Sequence, residues 1–149
     1  MEIERKYLPL TPPLPLESYA FHEIEQGYLS ASPAIRVRKE DDSFYMTYKS
    51  GPAMAHEEYN LPLNEETYRH LLEKCDGIVL RKKRYLIPYC AYSIDLDVFL
   101  APYEGLWIAE VEFPSVEEAE AFVKPAWFGE EVTYDPRYRN AFLALGTDR

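Results

Sequence analysis

The N-terminal segment carries charged side chains at every second position. Glu2, Glu4 and Lys6 alternate with Ile3 and Arg5. Because alternate side chains of an extended strand share a face, the two carboxylates and the ammonium group point the same way. Successive members are roughly 6.5–7 Å apart, close enough for two carboxylates to hold neighbouring metal ions. An isolated pattern of this kind is also typical of a solvated edge strand, so its chemistry depends on the strands beside it.

The net charge of the chain restricts its partners. The 149 residues carry a formal net charge of −10. A general nucleic-acid-binding protein normally has a basic face, so this charge argues against a nucleic-acid partner. A small polyanion is still compatible with the chain, because screening confines distant charges to about 8–10 Å. A local cluster of Arg, Lys and divalent cations dominates within that range.

Length and composition predict one folded domain over residues 1–149. The chain is 47% hydrophobic and 15% aromatic, which argues against disorder, and it is long enough for a proper core. Neither a secretory signal nor an apolar run of membrane-spanning length is found, so we expect no membrane partner. Cys75 and Cys90 lack metal-ligand spacing and indicate free thiols in a reducing cytoplasm.

The same alternation recurs along the chain and predicts about eight strands. After the N-terminal strand they lie near residues 22–30, 34–39, 44–49, 56–61, 79–87, 92–99 and 106–113. Helices are predicted over 65–76, 116–123 and about 136–145, residues 10–20 form a proline-rich connector, and 127–129 a packed turn. The predicted fold is mainly β (α+β). Its antiparallel strands are near the number at which a barrel closes around side chains or one small ligand.

One face of these strands collects the charged residues. Its acids are Glu2, Glu4, Glu58, Asp95, Asp97, Glu110 and Glu112, and its bases are Lys6, Arg36, Arg38, Lys49, Lys82 and Arg84. If this face points outward, the protein has an apolar interior and a salt-bridged exterior. If it points inward, the charges need partners, because unpaired buried charges are very unfavourable. The pattern alone leaves both placements open.

The inward placement would create a site for a metal–polyphosphate complex. Carboxylate oxygens suit Mg²⁺ and Mn²⁺, whereas no Cys/His cluster indicates zinc. Arg and Lys bind phosphate oxygens through charge-assisted hydrogen bonds. The chemistry of such a site is phosphoryl transfer to water by positioning and charge neutralisation. No glycine-rich phosphate loop is found, so side chains would supply the phosphate contacts.

Taken in order, the motifs resemble those of the CYTH-domain family, the triphosphate tunnel metalloenzymes, over almost the full chain. The resemblance rests on E-x-E-x-K (Glu2, Glu4, Lys6), Gln26-Gly27-Tyr28-Leu29, R-x-R (Arg36, Arg38), T-x-K (Thr47, Lys49), K-x-R (Lys82, Arg84), D-x-D (Asp95, Asp97), E-x-E (Glu110, Glu112) and Arg137-Tyr138-Arg139-Asn140. It implies a single CYTH domain, folded as a closed eight-stranded tunnel with the charges inside, peripheral helices and a C-terminal helix.

The resemblance also implies roles for these residues. The triphosphate would be bound by Lys6, Arg36, Arg38, Lys49, Lys82 and Arg84, with Arg139 or Arg137 closing one mouth. Glu2, Glu4 and Lys6 would be catalytic. The metal ligands would be Glu2, Glu4, Glu58, Asp97, Glu110 and Glu112, holding two divalent cations, Mg²⁺ or Mn²⁺. Asp95 and Asp97 would alternatively orient the basic side chains.

One strand departs from the family pattern. The family commonly has R-x-E-x-E on the fifth strand, where this chain has His56, Glu58 and Asn60. The change removes one phosphate donor and one carboxylate. A neutral imidazole is a weaker phosphate partner than a guanidinium group, so we interpret His56 as a rim residue without a catalytic part.

The short chain is most similar to the tripolyphosphatases of the family. This similarity implies metal-dependent hydrolysis of inorganic tripolyphosphate to pyrophosphate and phosphate. Alternatives on the same fold are an adenylate cyclase and a thiamine or nucleoside triphosphatase. An alternative of another class is a non-catalytic polyphosphate- or nucleotide-binding module, against which the paired acids argue because anion binding does not need them. The expected partner is a small-molecule triphosphate, bound by a monomer or weak homodimer.

Overall fold

Strands dominate the computed structural model, which describes residues 1–13 and 15–146. The strands are β1 (Glu2–Pro9), β2 (Phe21–Ala31), β3 (Ala34–Glu40), β4 (Ser43–Ser50), β5 (Ala55–Pro62), β6 (Asp76–Tyr89), β7 (Tyr92–Phe99), β8 (Trp107–Glu112) and β9 (Phe128–Glu131). The helices are α1 (Glu65–Lys74), α2 (Val116–Ala121) and α3 (Asn140–Leu145), with short 3₁₀ turns at Leu16–Ser18 and Pro136–Tyr138. None of the helices described is long and apolar enough to cross a membrane.

Eight of the strands form a closed antiparallel barrel, which confirms the predicted fold class. Neighbouring strands pair in the order β5-β4-β3-β2-β6-β7-β8-β1, and β1 pairs back onto β5. The closing contact is short and sets Glu2 opposite His56. The ninth strand, β9, pairs with a later part of β1, where Glu131 lies opposite Tyr7. The strand β1 therefore pairs with three strands, β5, β8 and β9.

Apolar side chains pack on both faces of the barrel wall. An outer cluster comprises Ile3, Tyr7, Ile87, Ile94, Leu96, Ala109, Val111, Phe113, Ala119 and Phe128, and an inner cluster comprises Tyr28, Leu80, Phe99, Ile108, Ala141, Leu143 and Ala144. Phe99 lies opposite Lys82 in the ladder, so the inner cluster shares a face with the charged residues. The last three members belong to α3, which thus covers the apolar part of the barrel interior.

Capping residues set the starts of two helices as predicted. The Asn64 side chain accepts a hydrogen bond from the Thr67 backbone N–H at 2.7 Å, and the Ser115 hydroxyl accepts one from the Glu118 N–H at 3.1 Å. Each bond satisfies a backbone donor that the first helical turn leaves free. These caps start α1 and α2 at the expected places.

Four predicted boundaries are wrong, each because tertiary contacts decide the local conformation. The first helix ends at Lys74 and not at 76, because Asp76 already belongs to β6 and lies opposite Tyr28 of β2. The second helix ends at Ala121 and not at 123, because Phe122 is extended and packs among the rings of Tyr89, Tyr92 and Phe113. The predicted turn at 127–129 contains the start of β9. The predicted C-terminal helix is interrupted at Arg139, whose extended backbone (φ −75°, ψ 138°) separates the 3₁₀ turn from α3.

Candidate active site

The strand registers place the charged alternation on the inward face of the barrel. Residues directly opposite one another in a ladder share a face. The opposed pairs are Glu2 and His56, Glu4 and Glu112, Lys6 and Glu110, Arg36 and Thr47, Lys49 and Glu58, and Arg84 and Asp97. Charges from strands far apart in the sequence therefore meet inside one barrel.

A cavity of about 410 Å³ occupies this interior. Its charged lining consists of Glu2, Glu4, Lys6, Arg36, Arg38, Lys49, Glu58, Lys82, Arg84, Glu110 and Arg139. Among the predicted site residues, Asp95, Asp97, Glu112 and Arg137 are outside this lining. Seven cationic side chains face four carboxylates, so the cavity of an acidic protein has an excess of positive charge.

Asp97 lies behind the cavity wall, between two of the cations. Its side chain is fully buried and accepts hydrogen bonds from Lys82 Nζ at 2.7 Å and from Arg84 Nε and Nη2 at 2.8 and 3.0 Å. Burial acts to raise the pKa of Asp97, but the charges of Arg84 and Lys82 lower it well below its usual range. This geometry favours the orienting role expected for Asp97 over the metal-ligand role.

Lys82 is the most deeply buried of the cationic side chains that line the cavity. Its exposed fraction is 1%, and burial lowers its pKa to about 7. Asp97 opposes this shift, whereas the guanidinium groups of Arg84 and Arg38 add to it. An anion bound in the cavity would restore the charged form, because a negative group stabilises the ammonium ion.

Arg36 and Arg38 lie side by side on β3 with different hydrogen-bond partners. Arg38 Nε donates to Gln26 Oε1 at 2.8 Å, and Arg36 Nη2 donates to Thr47 Oγ1 at 2.9 Å. Burial lowers the pKa of Arg38, and the charges of Arg36 and Arg84 lower it further. The Nε of Arg36 is buried and has no hydrogen-bond partner among the residues that the structure describes. A buried charged group with a free donor is a binding position for an anion.

The acidic side of the cavity is built around Glu2 and Glu4. Lys49 Nζ lies 2.9 Å from Glu2 Oε1 and 3.4 Å from Glu4 Oε1. His56 Nε2 contacts the same oxygen of Glu2. One ligand atom from each of Glu2, Glu4 and His56 lies within 4.8 Å of the other two. Two carboxylates and an imidazole at this spacing fit a divalent cation.

The carboxyl groups of Glu2 and Glu58 have pKa values shifted in opposite directions. Burial acts to raise the pKa of Glu2, but hydrogen bonds with His56 and Glu58 and the charge of Lys49 lower it well below its usual range. Burial and the neighbouring Glu2 carboxylate raise the pKa of Glu58 to about 7. Near neutral pH, therefore, one of the two carboxyl groups is ionised while the other is still partly protonated.

The remaining predicted carboxylates occupy different depths. Glu110 bridges two cations, with Oε1 at 3.6 Å from Lys6 Nζ and Oε2 at 3.5 Å from Arg84 Nη2. Glu112 is exposed as a whole residue, but partial burial of its carboxyl group and the charges of Glu2 and Glu4 raise its pKa. Glu112 is therefore near the acidic side of the cavity but outside its lining. Asp95 is half-buried, 3.7 Å from Arg84 Nη1.

Neutral polar residues of the site were missed by reasoning from charge. The Asn140 side-chain oxygen accepts from Lys82 Nζ at 2.8 Å and from Gln26 Nε2 at 3.2 Å. Thr47 Oγ1 donates to Asn60 at 2.6 Å while accepting from Arg36. Gln26 and Asn140 stand in motifs recognised in the sequence, and they could have been found by asking which neutral side chains share the inward face.

Two further residues differ from their expected positions. His56 is not at the rim: its exposed fraction is 5%, and its side chain is part of the acidic cluster. Of the two arginines considered for the mouth, Arg139 lines the cavity, whereas the exposed Arg137 pairs with Asp135 at 2.6 Å. Because the backbone is extended at Arg139, the two side chains point in different directions.

A sequence model of the CYTH domain matches residues 1–138. The chain belongs to the CYTH-domain family. An inorganic triphosphatase of Nitrosomonas europaea is 38% identical over 97% of this chain and 97% of its own length. An inorganic triphosphatase of Acetivibrio thermocellus is 39% identical over 79% of this chain and 77% of its own length.

Solved structures of CYTH-fold proteins agree with this placement. The crystal structure of an inorganic triphosphatase superposes with a TM-score of 0.72 at 35% identity, covering 100% of this chain and 97% of that one. A putative adenylate cyclase from Bacillus halodurans superposes with a TM-score of 0.64 at 22% identity, covering 81% of this chain and 84% of that one. The second match supports the fold alone.

Proposed function

We propose that this CYTH-domain protein hydrolyses inorganic triphosphate to pyrophosphate and phosphate with the help of divalent cations. The observation that carries the proposal is the cavity in which seven cationic side chains face a cluster of carboxylates. One of the seven, Arg36, has a buried Nε without a partner in the described part of the chain. A cation-rich pocket suits a polyanion, and clustered carboxylates suit the metal ions that accompany it. Two relatives of at least 38% identity named inorganic triphosphatases support the choice of substrate.

The cationic side of the cavity would bind the phosphate groups. The side chains in this role are Lys6, Arg36, Arg38, Lys49, Lys82, Arg84 and Arg139. Arg36 would donate its free Nε to a phosphate oxygen, because this donor is buried and unpaired. Asp97, Gln26 and Asn140 hold three of these cations by hydrogen bonds, so they would fix the cations before substrate arrives.

The acidic side would hold the divalent cations. Glu2, Glu4 and Glu58 would surround one of them, and Glu4, Glu110 and Glu112 the other. Mg²⁺ or Mn²⁺ bound there would supply charge neutralisation of the phosphate oxygens and an ordered water. The Glu4 and Glu112 pair lies opposite in the ladder, which supports their serving one ion. Lys49 now neutralises Glu2 and Glu4, and it would turn to a phosphate group when a metal ion takes its place.

Hydrolysis in this arrangement requires few further groups. A water oxygen would form a bond to the terminal phosphorus as the bridging P–O bond breaks, and pyrophosphate would leave. Glu2 would orient the water, Glu4 would accept its proton, and Lys6 beside Glu110 would stabilise the negative charge that develops on the transferring group. These three residues are therefore the proposed catalytic residues.

One assay separates the proposed activity from its alternatives. The protein is incubated with tripolyphosphate, ATP or thiamine triphosphate in Mg²⁺, Mn²⁺ or EDTA, and orthophosphate and cAMP are measured. We expect phosphate release to be fastest from tripolyphosphate and to stop in EDTA. Faster release from an organic triphosphate, or formation of cAMP, would reassign the substrate. Tight metal-dependent binding without any turnover would identify a binding module.

We also propose an oligomeric state, a cellular compartment and the absence of a nucleic-acid partner. The charged lining described above comes from a single chain, which supports activity as a monomer or weak homodimer, and light scattering coupled to gel filtration tests this. The unpaired thiols of Cys75 and Cys90 support a reducing cytoplasm. The net charge of −10 argues against a nucleic-acid partner.

A further inference from the structure

His56 lies at the seam where the barrel closes. It stands directly opposite Glu2 in the short β1–β5 ladder, and its side chain is buried among inward-facing groups. The preceding loop folds tightly over it: Gly51 has φ +116°, and a Cβ there would come within 3.0 Å of the His56 Cα. Glycine at this position lets the loop cover the histidine.

The two ring nitrogens of His56 have different environments. Nδ1 lies 3.3 Å from the Pro52 carbonyl oxygen, which can only accept, so Nδ1 carries the proton in that bond. Nε2 faces Glu2 and points into the cluster that also contains Glu4. Metal-binding histidines commonly have this arrangement, with one nitrogen donating to a backbone carbonyl and the other directed at the ion.

We propose that His56 Nε2 is a further protein ligand, beside the carboxylates of Glu2 and Glu4, of one divalent cation in this cavity. The proposal rests on the metal requirement of the proposed function and adds a nitrogen to a site otherwise made of oxygens. Imidazole suits transition metals better than Mg²⁺, which prefers oxygen. The site therefore prefers Mn²⁺ and other transition metals over Mg²⁺.

Other charges around His56 are consistent with an exchange of cations. Lys49 neutralises Glu2 and Glu4, and the Glu58 carboxyl group lies beside Glu2. A divalent cation brings two positive charges to the same carboxylates, so it can replace the ammonium group there. To bind through Nε2, His56 would exchange its hydrogen bond to Glu2 for a bond to the ion, while Nδ1 keeps its bond to Pro52.

Pulsed electron paramagnetic resonance of bound Mn²⁺ tests the proposal directly. The full chain is stripped with EDTA, dialysed and loaded with Mn²⁺ in the absence of substrate. Electron spin echo modulation from a directly bound imidazole ¹⁴N is expected in the wild type and absent in His56→Gln. Isothermal titration is expected to give roughly tenfold or more weaker Mn²⁺ binding for the variant and a smaller change for Mg²⁺.

The chain offers matched controls, because it contains three histidines. His22 pairs with Asp41 at the surface and His70 is exposed on α1. The double variant His22→Gln, His70→Gln leaves His56 as the one histidine and is expected to keep the nitrogen modulation. This variant also tests the proposal if His56→Gln does not fold. Labelling it with ¹⁵N-histidine is expected to replace the ¹⁴N modulation by that of ¹⁵N.

Three results would overturn the proposal: Mn²⁺ binding without nitrogen modulation, modulation that survives His56→Gln, or no Mn²⁺ binding at all. The hydrolysis assay distinguishes these from failure of the proposed function. If tripolyphosphate hydrolysis needs metal but bound Mn²⁺ gives no nitrogen signal, His56 is not a ligand and the proposed hydrolase function still holds. If no metal supports hydrolysis, the proposed hydrolase function is wrong, whatever the spectrum shows.

Discussion

The interior of the barrel has two regions built on the same inward face but with opposite chemistry. Around Leu80, Phe99 and Ile108 the strands carry apolar side chains, and α3 covers them. Lys82 lies directly opposite Phe99, and Asp97 lies directly opposite Ile108, yet together with Arg84 they line or support a charged cavity. The first region contributes hydrophobic free energy, whereas the second concentrates like charges that repel one another. We infer that packing in the apolar region sustains a charge arrangement that would not be stable alone.

The largest expected effect concerns turnover in the charged region. Glu4→Gln removes one charge from the proposed metal ligands while keeping the shape of the side chain. We expect kcat on tripolyphosphate to fall by roughly 10²-fold or more, an effect of the size seen when a charge-stabilising catalytic group is removed. The fold should persist, as checked by circular dichroism. Glu117→Gln on the exposed face of α2 is the matched control and should retain full activity. Unaltered turnover in Glu4→Gln would contradict the assigned role.

The apolar region should show the opposite behaviour. Ile108 is completely buried, and truncation to Ala leaves a cavity beneath α3. We expect Ile108→Ala to lower the free energy of unfolding by about 2–5 kcal/mol and Ile108→Val by about 1 kcal/mol. Urea denaturation measures both. The activity per folded molecule should change far less than in Glu4→Gln, and an equal loss in both variants would show that the two regions are not separable.

Arg36 offers a smaller test of binding in the charged region. Arg36→Ala removes the buried guanidinium group with the free Nε, and hydrogen bonds to charged groups contribute about 1.5–3 kcal/mol. We therefore expect KM for tripolyphosphate to rise roughly 10- to 100-fold, without loss of stability because an unneutralised buried charge is removed. Arg81→Ala, which removes an exposed arginine on the same barrel wall, is the control for steady-state kinetics. A large fall in stability with an unchanged KM would mean that Arg36 is structural.

The smallest expected effect is a pH dependence of stability without metal. The folded pKa of Glu58 is raised from 4.5 to about 7, so its stabilising contribution is complete below pH 4.5 and is lost as the pH rises through 7. Between these pH values we expect the wild type to lose about 1–2 kcal/mol of unfolding free energy, after allowing for solvent screening. Glu58→Gln should not show this loss. Burial raises the pKa of Asp95 to about 6; Glu110 and Asp97 add to this shift, and the charge of Arg84 opposes it. Asp95 therefore also lowers the stability as the pH rises, but it is present in both the wild type and Glu58→Gln.

Urea denaturation in EDTA at pH 5 and pH 7.5 measures this contribution. Glu57→Gln is the matched control, because Glu57 is the exposed neighbour on the same strand. Its stability should follow the wild type at both pH values. Parallel pH profiles for the wild type and Glu58→Gln would show that the Glu58 carboxyl group has an ordinary pKa.

Strict alternation made the barrel and most of its charged lining predictable from the sequence. A period of two fixes the face of each residue, so Arg36, Arg38, Lys82 and Arg84 could be grouped before their contacts were known. Alternation does not fix the depth of a residue along the barrel, which depends on the stagger of the strands. For that reason the sequence did not separate the fully buried Asp97 from the exposed Glu112.

Features that depend on contacts between residues distant in the sequence were harder to predict from the sequence. β9 has four residues, too few for a clear alternation, and it forms because β1 offers an edge for pairing. His56 was judged by the residue that it replaces in the family pattern, whereas its burial follows from the ladder that sets it opposite Glu2. Asn140 carries no charge, and its contact with Lys82 exists because α3 begins inside the barrel end.

The brief ladder between β1 and β5 gives the barrel a point of preferential opening. Glu2 and His56 form one of its few paired positions, and the Glu4 N–H donates to the Met54 carbonyl beside it at 2.9 Å. Backbone amides at this seam are expected to exchange with solvent earlier than those of long ladders such as β2–β6. Because the proposed ligands stand on both sides of the seam, a cation held between them would act as a clasp, and ligand binding and barrel closure would be thermodynamically linked.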